Sequence, residues 1–150
     1  MLTSTVLHNR SVDDAVASYC AASRAGDMDA LAATFAPDVQ LPSPLFGSFR
    51  FRGARDVRIV LGAVYGLLSE VDWEEPIGSG PRRVAVTHAR FAGLHIDDAM
   101  LFELDEQGRI ACIRPHLRPL FATLVFAMLL GPRLVLHPGV VLRALELGNA

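Results

Sequence analysis

The stretch VAVTHARFAGLHIDDAMLFELDEQGRI, residues 84–110, decides the fold. Val84–Phe91 and Leu94–Leu104 have strand length and strand composition, and only Ala92-Gly93 lies between them. Asp105-Glu106-Gln107-Gly108 then supplies turn chemistry before a further run, Ile110–Leu117. Upstream, Val71–Ile77 reads as one more strand, joined through Gly78-Ser79-Gly80-Pro81. Connections this short between successive strands imply an antiparallel meander.

Outside this block the period changes to that of helices. Ser11 and Asp14 have the S-x-x-D form of a helix start, with Ser11 placed to cap free N–H groups. Val12, Ala15, Val16, Tyr19 and Cys20 follow as one apolar face. Gly26 can end that helix, and Asp27 can cap a second one from Met28 to about Phe35, closed by Pro37. Val39–Leu41 and Ser48–Phe51 read as short strands around Pro42, Pro44 and Gly47. A third helix follows Gly53, with Val57, Val60, Leu61, Val64, Leu67 and Leu68 on one side. Phe121 onward is helical again, broken at Gly131-Pro132 and His137-Pro138-Gly139. The expected fold is a single α+β domain over residues 1–150, with a core at about 11–120 and a helical C-terminal extension at about 121–150.

Composition excludes several chemistries. The chain is 51% hydrophobic and carries a net charge of -2, so it has material for a core and no global attraction to nucleic acid or an anionic membrane. Every basic residue counted among the 14 is arginine, which rules out a Schiff-base or phosphate-loop lysine. Cys20 and Cys112 have no metal-site spacing, and the five histidines show no H-x-x-x-H pattern, so neither metal nor cofactor is expected. Residues 1–10 lack the apolar core of a signal peptide. The run Leu120–Leu130 is about half of the roughly 20 residues that cross a bilayer. A soluble, cytoplasmic protein is expected.

A curved sheet folded over helices makes a cone whose concave side is the natural cavity. Along one strand Val84, Val86 and His88 share a face, and Ala85, Thr87 and Ala89 share the other. On the next, Asp98, Met100, Phe102 and Leu104 lie together. A three-residue Ala92-Gly93-Leu94 loop sets His88 opposite Asp98 and Val86 opposite Met100, gathering the larger apolar residues inside. A two-residue Ala92-Gly93 turn would separate the pair. The following hairpin sets Met100 opposite Ile113, with Ala111, Ile113, Pro115 and Leu117 inward and Arg114, His116 and Arg118 outward; a bulge at Gly108 would reverse this.

Four segments together resemble the nuclear transport factor 2-like superfamily, in its ketosteroid isomerase and SnoaL-like polyketide cyclase branch. They are Tyr19-Cys20-Ala21-Ala22-Ser23-Arg24-Ala25-Gly26-Asp27, Phe35-Ala36-Pro37-Asp38-Val39, Leu104–Ile110 and Arg118-Pro119-Leu120. The resemblance implies a cone of helices in a strongly curved, mostly antiparallel sheet, and often a homodimer. It puts Tyr19 at the isomerase oxyanion-hole tyrosine, Ser43 at the general base and Met100 at the second, protonated aspartate. Serine cannot abstract a proton as a carboxylate does, and methionine cannot donate a hydrogen bond. Isomerisation by the family's own residues is therefore not expected.

Two functions remain. One is a cofactor-independent isomerase, cyclase or hydratase acting on a hydrophobic small molecule, with Asp98 and His88 moving the proton and Tyr19 donating to a developing oxyanion. The other is a non-catalytic module that binds an apolar ligand or dimerises. His88 with Asp98 could equally be a cross-strand ion pair, and Tyr19 a core ring. Trp73 could wall the site or be buried elsewhere. The expected lining is Phe35, Trp73, Val86, Met100, Phe102 and Ile113, suited to an uncharged, ring-sized ligand. A homodimer is expected, with Leu120–Leu130 covering the cone or the partner.

Overall fold

The computed structural model describes residues 14–148. Helix α1 (Ala15–Ala25) starts at Asp14, whose carboxylate accepts from the Val16 N–H, and ends at Gly26 in the left-handed region (φ 71°). The proposed cap Ser11 and the first apolar residue Val12 lie outside the described residues. Asp27 caps α2 (Met28–Ala32) by accepting from Ala30 N–H at 2.9 Å. The chain then enters β1 (Phe35–Pro42). This corrects the expected helix to Phe35: Phe35 is drawn into a parallel pair with Ile110. Pro37 falls where the register between these two strands is irregular, so its missing N–H costs no regular ladder bond.

A short β2 (Arg50–Arg52) leads into α3 (Ala54–Leu67), which buries Val57, Val60, Leu61 and Tyr65. The sheet is completed by β3 (Ser69–Trp73), β4 (Arg82–Phe91), β5 (Leu94–Leu104), β6 (Ile110–Arg114) and β7 (Leu117–Arg118). Strand order is β2-β1-β6-β5-β4-β3, with β7 paired to β5; only the β1–β6 pair is parallel. Strand β3 stops before Ile77, which makes an isolated bridge to Val84.

Helix α4 (Leu120–Val135) runs through Gly131-Pro132, where a break was expected. Pro132 forfeits only the bond to the Met128 carbonyl, and Met128 lies on the exposed side of the helix. Helix α5 (Pro138–Gly148) follows at 109° to it; among the described residues no single helix is long and apolar enough to cross a membrane. The Arg143 guanidinium clamps α5 to α3 through two 2.8 Å bonds to Asp56.

The β4–β5 register corrects the expected one. Ala92 (φ 46°) and Gly93 (φ 79°) form a two-residue turn with both residues in the left-handed region, so Phe91 pairs with Leu94 and His88 with Asp97. One residue of slip exchanges the faces of β4. Ala85, Thr87 and Ala89 are inside, and Val84, Val86 and His88 are outside. Small residues belong on the concave side, because they leave room there for α1, α3 and a cavity. On β5 Asp98, Met100 and Phe102 of the expected inner face are buried, with Ile96 beside them, and Leu104 is half-buried. The β5–β6 pairing is also moved, with Phe102 opposite Ile113 and an irregularity before Leu104–Ile110. That is a shift of two positions from the Met100–Ile113 pairing, so Ile113 still points inward.

Candidate functional site

Between the concave sheet, α3, α4 and the loop after β1 lies a cavity of about 320 Å³ with almost wholly apolar walls. The sheet contributes Thr87, Ala89, Ile96, Asp98 and Met100; α3 contributes Val60, Leu61, Val64 and Tyr65. Helix α4 closes it with Phe126, Leu130 and Leu134, and the loop with Leu45, Phe46 and Phe49. Phe126 is held edge-on to Phe91 at 5.2 Å, so the C-terminal extension is part of the wall.

Of the residues expected to line a pocket, Met100 does so and five do not. Phe35 and Phe102 pack their rings around Tyr19, and Ile113 is fully buried in the core. Trp73 is buried against α1, its indole N–H donating to Ser23 Oγ at 2.8 Å. Val86 is on the outer face. Ser43 does reach the cavity wall, with its hydroxyl oxygen accepting from the N–H groups of Leu45 and Phe46.

Among the described residues Asp98 is the only carboxylate on this wall. It is 5% exposed; Oδ1 accepts from the His116 N–H at 2.7 Å, and Oδ2 has no partner among the described residues. Its neighbours across the ladder are Thr87 and Leu117. Thr87 gives its proton to the Asp72 carbonyl at 2.8 Å and so cannot also donate to Asp98. Burial raises the Asp98 pKa to about 6, against the weaker opposing pull of the His116 N–H.

Tyr65, and not Tyr19, is the tyrosine that lines the cavity with it. The Tyr19 ring is fully buried, its hydroxyl 2.9 Å from that of Tyr65 and 3.8 Å from Met100 Sδ. Burial holds both phenols well above their ordinary range, and the charge on Asp98 pushes both the same way. Sequence reasoning missed Tyr65. The signal was there, since Val57, Leu61 and Tyr65 form an i, i+4, i+8 stripe on α3.

His88 and Asp98 are not brought together. They occupy opposite faces of the sheet, and His88 instead meets Asp97 (Nδ1 to Oδ1, 2.7 Å) and Glu74 (Nε2 to Oε1, 2.8 Å). These two bonds, that to Asp97 first, raise the His88 pKa, and the His88 bond lowers that of Asp97. His95 Nε2 lies 3.2 Å from Asp97 Oδ1, and Arg118 Nε donates to Oδ2 at 3.2 Å. His116 and Arg118 have exposed side chains, as the outward assignment anticipated.

Residues 16–113 match the family model of the SnoaL-like domain. No curated protein matches the chain. Among solved structures, the fold is similar to an uncharacterized bacterial protein with a cystatin-like fold from Silicibacter pomeroyi (TM-score 0.78, 21% identity, 84% of this chain and 89% of that one). It is similar to a steroid delta-isomerase from Pseudomonas aeruginosa (TM-score 0.74, 20% identity, 83% and 92%). It is also similar to a nuclear transport factor 2-like protein of unknown function from Burkholderia xenovorans (TM-score 0.62, 18% identity, 73% and 88%).

Proposed function

The chain belongs to the SnoaL-like domain family of the nuclear transport factor 2-like superfamily, and on that premise we propose that it moves a proton on an uncharged, ring-sized apolar molecule held in the cavity. The observation that carries this reading is a single carboxylate, Asp98, whose Oδ2 has no partner among the described residues, set in a mostly apolar wall. A carboxylate in such a place takes a proton from a carbon acid readily once the ligand fills the cavity, because water then no longer competes for it. Removing that proton sends charge to the ligand's oxygen. Tyr65 answers that charge: when Tyr19 donates to the Tyr65 oxygen, the Tyr65 proton is free to donate into the cavity. The neutral acid form of Asp98 then returns the proton at a second carbon, which shifts the double bond and completes an isomerisation without a cofactor.

The test is proton exchange. A β,γ-unsaturated cyclic ketone in deuterated buffer is followed by NMR with wild type and Asp98→Asn. Wild type should accelerate label uptake, and the variant should lose about 10²-fold or more of that acceleration. Binding of a fluorescent apolar probe should persist in the variant. Exchange at the buffer rate in wild type, with the probe still bound, would leave a second reading: a carrier of apolar molecules. That reading is favoured by the tying of Ser43 into its turn, away from the base role its position has in isomerases.

We also propose that the protein is a homodimer. Leu120, Phe121, Leu124 and Met128 stand 51–76% exposed on the outer side of α4. Soluble monomers rarely leave such a patch uncovered, and a second copy of the same helix would cover it.

A further inference from the structure

We propose that His88, His95 and Asp97 form a binding site for a divalent transition metal of the zinc and nickel class, on the outer face of the sheet. The two-residue turn creates it. His88 pairs directly with Asp97, and His95, opposite Arg90, falls on the same face one step along. One donor atom from each of the three lies within 4.8 Å of the other two. Asp97 Oδ1 is already 2.7 Å from His88 Nδ1 and 3.2 Å from His95 Nε2. Ligands bonded to one zinc ion at about 2.0–2.1 Å stand about 3 Å apart, so the donors need only small side-chain rotations.

The surrounding groups have the form of an outer ligand sphere. Glu74 accepts the Nε2 proton of His88, which directs the other ring nitrogen at Asp97. A metal ion would take the place of the proton that His88 Nδ1 shares with Asp97 Oδ1, so its binding releases that proton. Arg118 holds Asp97 Oδ2 and leaves Oδ1 for the ion. His95 has its side chain 59% exposed, so water has access to the remaining coordination positions. Two imidazoles and one carboxylate suit zinc, nickel or copper and not magnesium or calcium. Asp97 and Asp98 point to opposite faces of β5, so the site is separate from the cavity and does not depend on what the cavity does.

The test uses the full chain, free of any histidine tag, stripped with EDTA and titrated calorimetrically with zinc chloride, nickel chloride and magnesium chloride. One zinc or nickel ion per chain is expected, and no magnesium. His95→Gln alters an exposed side chain and should keep the metal-free circular dichroism spectrum, yet weaken zinc binding by about tenfold or more. His88→Gln should do the same, while His137→Gln, elsewhere on the surface, should change nothing. Absence of zinc and nickel binding, or affinity untouched by His95→Gln, overturns the proposal. So does an equal loss in His137→Gln.

Discussion

The paired tyrosines give an asymmetric prediction, because Tyr19 is wholly enclosed in the core while Tyr65 also belongs to the cavity lining. In Tyr65→Phe the Tyr19 hydroxyl, fully buried, loses its 2.9 Å partner and keeps only the Met100 sulfur at 3.8 Å, a weak acceptor. A buried hydroxyl left in that state costs about 1–3 kcal/mol. In Tyr19→Phe the hydroxyl left behind is that of Tyr65, a residue of the cavity lining that keeps Ser23 as a second polar neighbour. The cost is then nearer the net worth of one hydrogen bond, about 1 kcal/mol. Replacing both removes donor and acceptor together, so the double variant should be no less stable than Tyr65→Phe alone. Urea denaturation at constant m-value reads all four corners of this cycle, and at this size each 1 kcal/mol moves Tm by about 2–4 °C. If the two single costs add, the hydroxyls are not coupled. If Tyr19→Phe is the costlier change, Tyr65 is the sealed partner and cannot be the group that donates to a ligand.

Three further outcomes are expected. Asp98→Asn keeps an acceptor for the His116 N–H but removes a buried charge. The folded state holds the Asp98 proton up to about pH 6 and the unfolded chain only to 3.8, so the stability this group contributes is present below 3.8 and lost as pH rises through 6. In EDTA-treated protein the variant should therefore be more stable than wild type by up to about 3 kcal/mol at pH 8 and by almost nothing at pH 3.5, by denaturation at both values; equal gains at both would remove the buried charge from the account. Met100→Trp fills part of the 320 Å³ cavity, and calorimetry should show weaker binding of an apolar ligand, with about 1–3 kcal/mol of stability lost to overpacking; unchanged affinity would put the ligand elsewhere. Met128→Glu sets a charge in the exposed α4 stripe and should shift light scattering from dimer toward the 16.2 kDa monomer without lowering Tm of the monomer; a wild type that is monomeric at micromolar concentration would refute the interface.

What the sequence made legible, and what it did not, divides at one turn. Strand and helix existence follow from period and punctuation, and these are local: Gly26 and Asp27 end one helix and begin the next without help from the rest of the chain. Leu94–Leu104 is a strand at its predicted ends, since Gly93 and Asp105 both mark them. Register is not local in that sense. Ala92 is a poor residue for a positive φ, so Ala92-Gly93 lacks the signature of the tight turn it forms, and the turn is imposed by what each face must pack against. Larger apolar side chains belong inside a filled core but not along a concave wall. There the side chains must be short, and β4 offers Ala85 and Ala89 to the inside while Val84 and Val86 stay out. That single residue of slip parts His88 from Asp98 and joins it to Asp97. The carboxylate in the cavity is thereby parted from His88, and the proton transfer proposed for it rests on its burial and on a tyrosine of α3. The imidazole on the other face, held between two carboxylates, becomes available for a different task.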